Sequence, residues 1–189
     1  MTTALITHPQ SEPLTLTDLK AHLRIDHDAE DGLLIEILKA ARHYCELACG
    51  QKLITQIWRQ YEARIPDNRA VKLVLSPIRD VNAVTAYDRD GNPTFLTSND
   101  YQLERTEDHY FISFAPGFDA TLACNGFEID IVVGFGDLGI DIPDTLRRAI
   151  LLLVAHWFEF RGAVSPQDQP VSLPPGFDIL IAPHRRVNF

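Results

Sequence analysis

Apolar positions change their period twice along this chain, and the two changes mark out its elements. In residues 14–52 they recur at three- and four-residue intervals. Leu16, Leu19 and Leu23 predict a short helix from about Leu16 to Arg24. Thr15 is placed as its N-cap, with Asp18 three residues on in the position of a capping-box acid. The acidic stretch Asp26–Asp31 predicts a turn and a second helix start, because acids favour the positive end of a helix dipole. Leu33, Leu34, Ile37, Leu38, Ala41, Tyr44, Cys45 and Ala48 then continue at helical spacing, and Gly50 supplies a left-handed stop. Residues 1–13, with Pro9 and Pro13 and no periodicity, predict a loose arm.

From Leu53 the period becomes two. Leu53, Thr55, Ile57, Tyr61, Ala63 and Ile65 fall on one face of a long strand, and Gln56, Gln60, Glu62 and Arg64 on the other. Further strands are predicted at Val71–Leu75, Val81–Tyr87, Tyr101–Leu103, Tyr110–Phe114 and Phe127–Val133. Asp88–Asn92 reads as a hairpin turn, with Gly91 free to take positive φ. Helical character returns at Pro143 and runs to about Arg161, with Gly162 ending it. Its stretch Ala149–Phe158 is apolar on all sides but for His156, which predicts burial in a core or between subunits. Residues 163–175 form a polar, Pro-containing loop before a last short element at Phe177–Ala182. The expected class is therefore α+β. N-terminal helices and a long buried C-terminal helix form a small helical bundle, and an antiparallel β unit is inserted between them. The expected organisation is an arm at 1–13 and one domain at 14–162, helical at 14–52 and 143–162 with the β unit at 53–142. A C-terminal arm follows at 163–189.

Composition narrows the possibilities. The chain is 46% hydrophobic and 23% charged, ordinary for a folded protein. No signal peptide is visible, and the longest apolar run is well short of the ~20 residues a membrane span needs. Three cysteines, Cys45, Cys49 and Cys124, make no disulfide framework and fit a reducing compartment. The net charge is −9, and residues 53–142 carry seven Lys/Arg against fourteen Asp/Glu, a net −7. Such a surface disfavours tight wrapping of nucleic acid, which rests on neutralising phosphates.

No catalytic constellation is legible. His27-Asp28 is a lone pair, where a metal site needs several convergent ligands. Cys45 and Cys49 share a helix face, but no second Cys/His pair stands elsewhere. Gly134, Gly136 and Gly139 imitate a dinucleotide fingerprint without its βαβ context, and with Asp137 and Asp141 facing the phosphates. No catalytic, cofactor or metal residue is assigned. The alternative is a small cytosolic metal- or nucleotide-dependent enzyme built on the His27/Asp28 or Gly134–Gly139 regions.

The ordered landmarks do resemble one family. Leu14-Thr15-Leu16 through Lys20–Asp26, the acids Asp28–Asp31, the helix ending Cys49-Gly50, and Leu53-Ile54-Thr55-Gln56 with Trp58 open the match. Leu75-Ser76-Pro77-Ile78, Ile142-Pro143-Asp144 leading to Ala149–Trp157, and the closing Leu180–Arg186 complete it. Over about residues 14–187 the chain is similar to phage head–tail connector (adaptor) proteins of long-tailed phages and gene transfer agents. The resemblance implies a structural virion protein without catalytic residues, assembled in the bacterial cytoplasm and placed at the neck. It implies a homo-oligomeric, usually twelvefold ring between the portal and a stopper or tail component, with DNA passing through its channel without specific binding. On that footing the channel face is expected to be acidic or neutral and built from the β unit. Arg147, Arg148, Leu153 and Trp157 are expected at a subunit interface, with a solvated face as the alternative for the two arginines. Phe177, Ile179, Leu180, Ile181, Arg185, Arg186 and Phe189 are expected to dock on the portal, a disordered tail being the alternative.

Overall fold

A computed structural model describes residues 2–106, 109–160 and 173–186. These residues form two compact units. One comprises residues 1–8 and 55–134, the other residues 9–54 and 135–189.

The first unit is all β. Strands β1 (Thr2–Thr7), β2 (Gln56–Glu62), β8 (Phe127–Val133), β4 (Ile78–Tyr87) and β5 (Pro93–Phe95) form one antiparallel sheet in that order. Strands β3 (Ala70–Leu73), β7 (Tyr110–Phe114) and β6 (Tyr101–Arg105) form a second. Both sheets contribute to one core. It contains Val71 and Leu73 of β3, Ile112 and Phe114 of β7, Val84 of β4, and Phe127, Ile129, Ile131 and Val133 of β8. The β8 alternation expected from sequence holds residue by residue, every second side chain being buried. Phe114 meets Phe127 edge-on at 5.3 Å, an arrangement that favours aromatic pairs. The Asp88–Asn92 turn closes as predicted. Asp88 accepts from the Asn92 side-chain amide and from the Asn92 and Asp90 N–H groups, which holds the Asp88 carboxyl below the usual range, and Gly91 sits at φ 83°.

Two expectations for this unit fail. Thr2–Thr7 is no loose arm. It pairs antiparallel with β2 and gives the five-stranded sheet an edge. Its β-branched Thr2, Thr3, Ile6 and Thr7 suit a strand, a signal too short to stand out beside Pro9. The faces of β2 are also reversed. Gln56 and Gln60 point into the unit and are buried, while Tyr61 is 38% exposed. The glutamines are inside because their amides are satisfied there. Gln60 Nε2 donates to the Lys72 carbonyl at 2.9 Å and its Oε1 accepts from the Val74 N–H at 3.2 Å. Gln56 Oε1 accepts from Trp58 Nε1 at 2.8 Å. Buried amides that find partners cost little, and polarity alone misplaced them.

The second unit is helical. Helix α1 (Leu16–Leu23) starts at the expected capping box: Thr15 Oγ1 accepts from the Asp18 N–H at 3.1 Å, and Asp18 Oδ2 accepts from the Thr15 N–H at 2.9 Å. Helix α2 (Asp31–Cys49) ends at Gly50 with φ 71°. Helix α3 (Asp144–Phe160) lies against α1, α2 and α4 (Phe177–Ile181). Its Leu146, Ala149, Ile150, Leu153 and Val154 are buried, and Leu151 to Phe158 are otherwise half-buried. No helix among the described residues is long and apolar enough to cross a membrane.

The expected small bundle with a long C-terminal helix is corrected by this arrangement. Among the described residues there are four helices and eight strands in two antiparallel sheets, and the class is α+β only in that coarser sense. Only α2, with 19 residues, and α3, with 17, have bundle length; α1 has eight residues and α4 five. The long helix is not the last element either, because α4 follows it and closes the core with Phe177 and Ile181. The predicted helix end at Arg161 and Gly162, and the loop up to residue 172, lie outside the described residues.

One buried charge holds several segments of this unit together. The Glu46 side chain, near the end of α2, is 1% exposed. Its carboxylate faces Arg42 at 3.4 Å and Lys52 at 3.3 Å and accepts from the Leu53 N–H at 3.1 Å. Arg42 Nε also donates to Glu12 at 2.8 Å, which ties in the segment before α1. Beside this cluster Phe135 N–H donates to the Leu53 carbonyl at 2.9 Å, so the chain leaving α2 and the chain returning before α3 run side by side.

The two tryptophans, Trp58 and Trp157, stand one in each unit and report on them separately. Gln60→Leu should lower the stability of the β unit by about 1–3 kcal/mol, the cost of withdrawing partners from buried polar groups. Denaturation followed by Trp58 fluorescence in a Trp157→Phe background checks this; an unchanged midpoint would place Gln60 on the outer face. Glu46→Ala should lower the stability of the helical unit by about 3–5 kcal/mol, as expected when one partner of a buried ion cluster is removed. Trp157 fluorescence in a Trp58→Phe background reads it, and a loss below 1 kcal/mol would show that the cluster is dispensable.

Candidate functional site

Neither enzyme-like region assembles. Asp28 is exposed and paired with Lys20, which holds its carboxyl low. Among the described residues no group of three or more His, Cys, Asp or Glu side chains is placed to hold a metal ion. Cys45 and Cys49 are free and buried; hydrogen bonding to Cys49 and burial push the Cys45 thiol up. In the glycine loop the glycines are packed closely against the chain's own atoms. A Cβ on Gly136 would sit 2.2 Å from the Asp141 side chain, and one on Gly139 would sit 2.2 Å from the Pro13 carbonyl oxygen. Those glycines permit close packing of the loop. His156 packs against Phe160, ring centroids 4.6 Å apart.

The four side chains expected at a subunit interface are not equivalent. Leu153 is fully buried in the core of its own unit. Trp157 is half-buried and meets Tyr44 edge-on at 6.0 Å. Arg147 is half-buried with a terminal nitrogen 3.5 Å from Asp144, and Arg148 is exposed. Of the four, Arg148 alone is exposed, and Arg147 and Trp157 keep part of their surface in solvent.

The residues expected to dock on the portal are divided in the same way. Phe177 and Ile181 fill the core formed by α2 and α3, so they do not extend into a partner's groove. Leu180 packs half-buried at the edge of that core. The segment is also tied down at its end: Gln51 Nε2 donates to the His184 carbonyl at 2.8 Å, Arg186 N–H donates to the Cys49 carbonyl at 2.9 Å, and Thr145 Oγ1 lies 2.8 Å from His184 Nε2. It is a folded closing element and not a reaching arm. What it leaves outward is Ile179, 78% exposed, and Arg185, which pairs with Asp178; Arg186 is half-buried. Phe189 lies outside the described residues.

In the β unit the outer face of the five-stranded sheet carries a charge cluster. Arg59 on β2 grips Asp130 on β8 with two nitrogens, at 2.6 and 2.8 Å, and Glu128 with a third at 2.8 Å. Asp130 raises the Arg59 pKa further above its ordinary value. One guanidinium thus faces two carboxylates, so the cluster keeps a negative excess.

Two features escaped the sequence reading. Glu46 looks like any polar helix residue; its only signal was Arg42 four residues before it and Lys52 six after. Leu138 and Ile140 are 60% and 79% exposed on the glycine loop. Their signal was two large aliphatics between Gly136 and Ile142 that fit neither a helical nor a strand period.

Comparison with known proteins bears on this arrangement. The family model for the phage gp6-like head-tail connector protein matches residues 13–109, just over half of the chain. No curated protein matches the chain. Solved structures do. A chain in the virion of a native gene transfer agent (GTA) particle superposes with a TM-score of 0.83 at 24% identity. A chain in the neck of an empty GTA particle computed with C6 symmetry gives 0.81 at 24%, and one in the neck of a native GTA particle computed with C12 symmetry gives 0.74 at 24%. Each alignment covers 100% of this chain and 97% of the other. At that identity the likeness establishes a shared fold over the whole length. The family match and the sequence landmarks agree, and the chain belongs to the phage gp6-like head–tail connector family, a structural virion component.

Proposed function

We propose that the chain is the repeating subunit of a homo-oligomeric ring, twelvefold in the particle, at the neck of a phage-like or gene-transfer-agent virion. The ring receives the portal on one side and a stopper or tail component on the other, and extends the channel through which DNA passes. The observation that carries this is the connector-family match over residues 13–109, which spans α1, α2 and strands β2 to β6. The fold shared with chains from C6 and C12 neck reconstructions supports a ring.

The acidic balance of residues 55–134 of the β unit, seven Lys/Arg against twelve Asp/Glu, supports their facing the channel. Like charge keeps DNA from adhering to a wall it must slide past, whereas a basic lining would hold it. The chain's role is mechanical and it turns over no substrate. Purified protein should show no hydrolase, nuclease or transferase activity with or without divalent metal. Metal-dependent turnover lost in His27→Ala or Asp28→Ala would overturn this.

The portal side is assigned to the outward residues of the closing segment, Ile179 and Arg185, with half-buried Arg186 next to them. An exposed aliphatic beside arginines suits a groove rimmed by carboxylates. An Ile179→Asp, Arg185→Ala double variant changes exposed positions and should stay folded. It should lose at least tenfold in attachment to DNA-filled heads, measured as joined particles per head. Normal joining by this variant would place the portal contact elsewhere.

A further inference from the structure

We infer that Leu138 and Ile140 form the projecting half of the contact between neighbouring copies of this chain, and that it seats on the outward face of α2 around Ala40. This rests on the ring proposed above and names the surfaces that build it.

The loop that carries the two side chains is over-determined. Gly136 and Gly139 lack room for a Cβ, against the Asp141 side chain and the Pro13 carbonyl. Asp141 Oδ2 accepts from the Leu138 N–H at 3.0 Å, the Ile142 N–H donates to the Gly139 carbonyl at 3.2 Å, and Ser11 Oγ donates to the Asp137 carbonyl at 2.6 Å. A loop fixed so tightly usually turns its large apolar side chains inward. This one holds Leu138 and Ile140 in solvent, at 60% and 79% exposure. Large aliphatics held rigidly outside a folded unit mark a binding surface. The rim of this projection is acidic, because Asp137, Asp141 and Asp144 are exposed around it.

The same helical unit carries an unlike and complementary surface. Leu33, Ala40 and Leu47 lie seven residues apart on α2 and are all exposed, Leu47 at 66%. Seven residues are close to two helical turns, so they form one stripe with its small residue in the middle. The stripe is a shallow seat between two leucines. Lys39 and His43 are exposed beside Ala40, and Glu36 is the exposed acid on this face. The other acids of α2 point elsewhere: Asp31 pairs with Lys20, and Glu46 with Arg42 and Lys52. Charge on this face is mixed, so what suits the seat to the projection is its small residue set between two leucines.

A closed ring needs two different patches on each chain, one meeting the other on the next copy, whereas a single self-complementary patch gives only pairs. The projection and the seat are such a pair of unlike patches. Two side chains supply a small part of the ~800 Å² that a standard interface buries on each partner. They act as an anchor within a wider contact, and the contact completes when copies are crowded on a particle.

The test is thiol cross-linking in assembled particles. The full chain carries Cys124→Ser to remove the exposed native thiol; Cys45 and Cys49 are buried. Ile140→Cys and Leu47→Cys are added together and singly, and the particles are treated with a short bismaleimide. The double variant should give a ladder of dimers, trimers and higher species, while each single variant stays monomeric. Dimers from Ile140→Cys alone, or a double variant that stops at dimers, would show a self-paired contact and overturn the inference. So would a double variant that stays monomeric while an amine-reactive cross-linker ladders the same particles, and in that case the ring stands. No ladder with either reagent would remove the ring itself and the inference with it.

Discussion

The helical unit depends on one buried carboxylate. Glu46 sits where α2 ends, and Arg42, Lys52 and the Leu53 N–H converge on it. Through Arg42 the cluster reaches Glu12 and the segment before α1; through Leu53 it reaches the chain that leaves for the β insertion. The closing segment is fastened at the same corner, where Arg186 N–H meets the Cys49 carbonyl. A charge taken out of water is costly unless it is paired and hydrogen-bonded. That cost makes the corner specific: the segments must arrive together for any of them to be satisfied.

This constraint decides what the unit can offer a partner. With Phe177 and Ile181 drawn into the core, the C-terminal segment completes the fold and cannot reach out as a whole. Recognition is left to side chains that the packing turns outward. Ile179 and Arg185 are two of them, and Leu138 and Ile140 on the glycine loop are two more. The β unit contributes charge instead of apolar contact. Its Arg59 cluster sets one guanidinium against two carboxylates, and residues 55–134 keep a net −5, seven Lys/Arg against twelve Asp/Glu. The assignment of adhesive surfaces to the helical unit and of a non-adhesive surface to the insertion follows from these two facts.

Local signals were legible in the sequence wherever a single physical rule governed them. The Thr15–Asp18 capping box, the Gly50 stop, the Asp88–Asn92 turn and the β8 alternation all read correctly, because caps, turns and two-residue periods are decided by near neighbours. Signals that depend on distant partners did not read. Gln56 and Gln60 were placed on the wrong face of β2 because their amides are satisfied by Trp58 and by the backbone at Lys72 and Val74. Thr2–Thr7 reads as an arm because the strand it pairs with lies 50 to 59 residues further along, from Thr7↔Ile57 to Thr2↔Tyr61. Phe177 and Ile181 were read as docking residues because four apolar positions cannot make a core alone; they finish one that α2 and α3 have begun. Of the candidate site, Ile179, Arg185 and Arg148 were legible as outward residues. Leu138 and Ile140 were not, because their exposure is set by two glycines packed against Asp141 and Pro13.

The central claim is that this chain repeats around the axis between head and tail. Reconstruction of the intact particle without imposed symmetry tests it most directly. The account predicts a ring at the neck into which successive copies of this fold can be traced, with the β unit of residues 55–134 lining the channel. A neck ring built from another fold, or this chain located away from the head–tail junction, would contradict it.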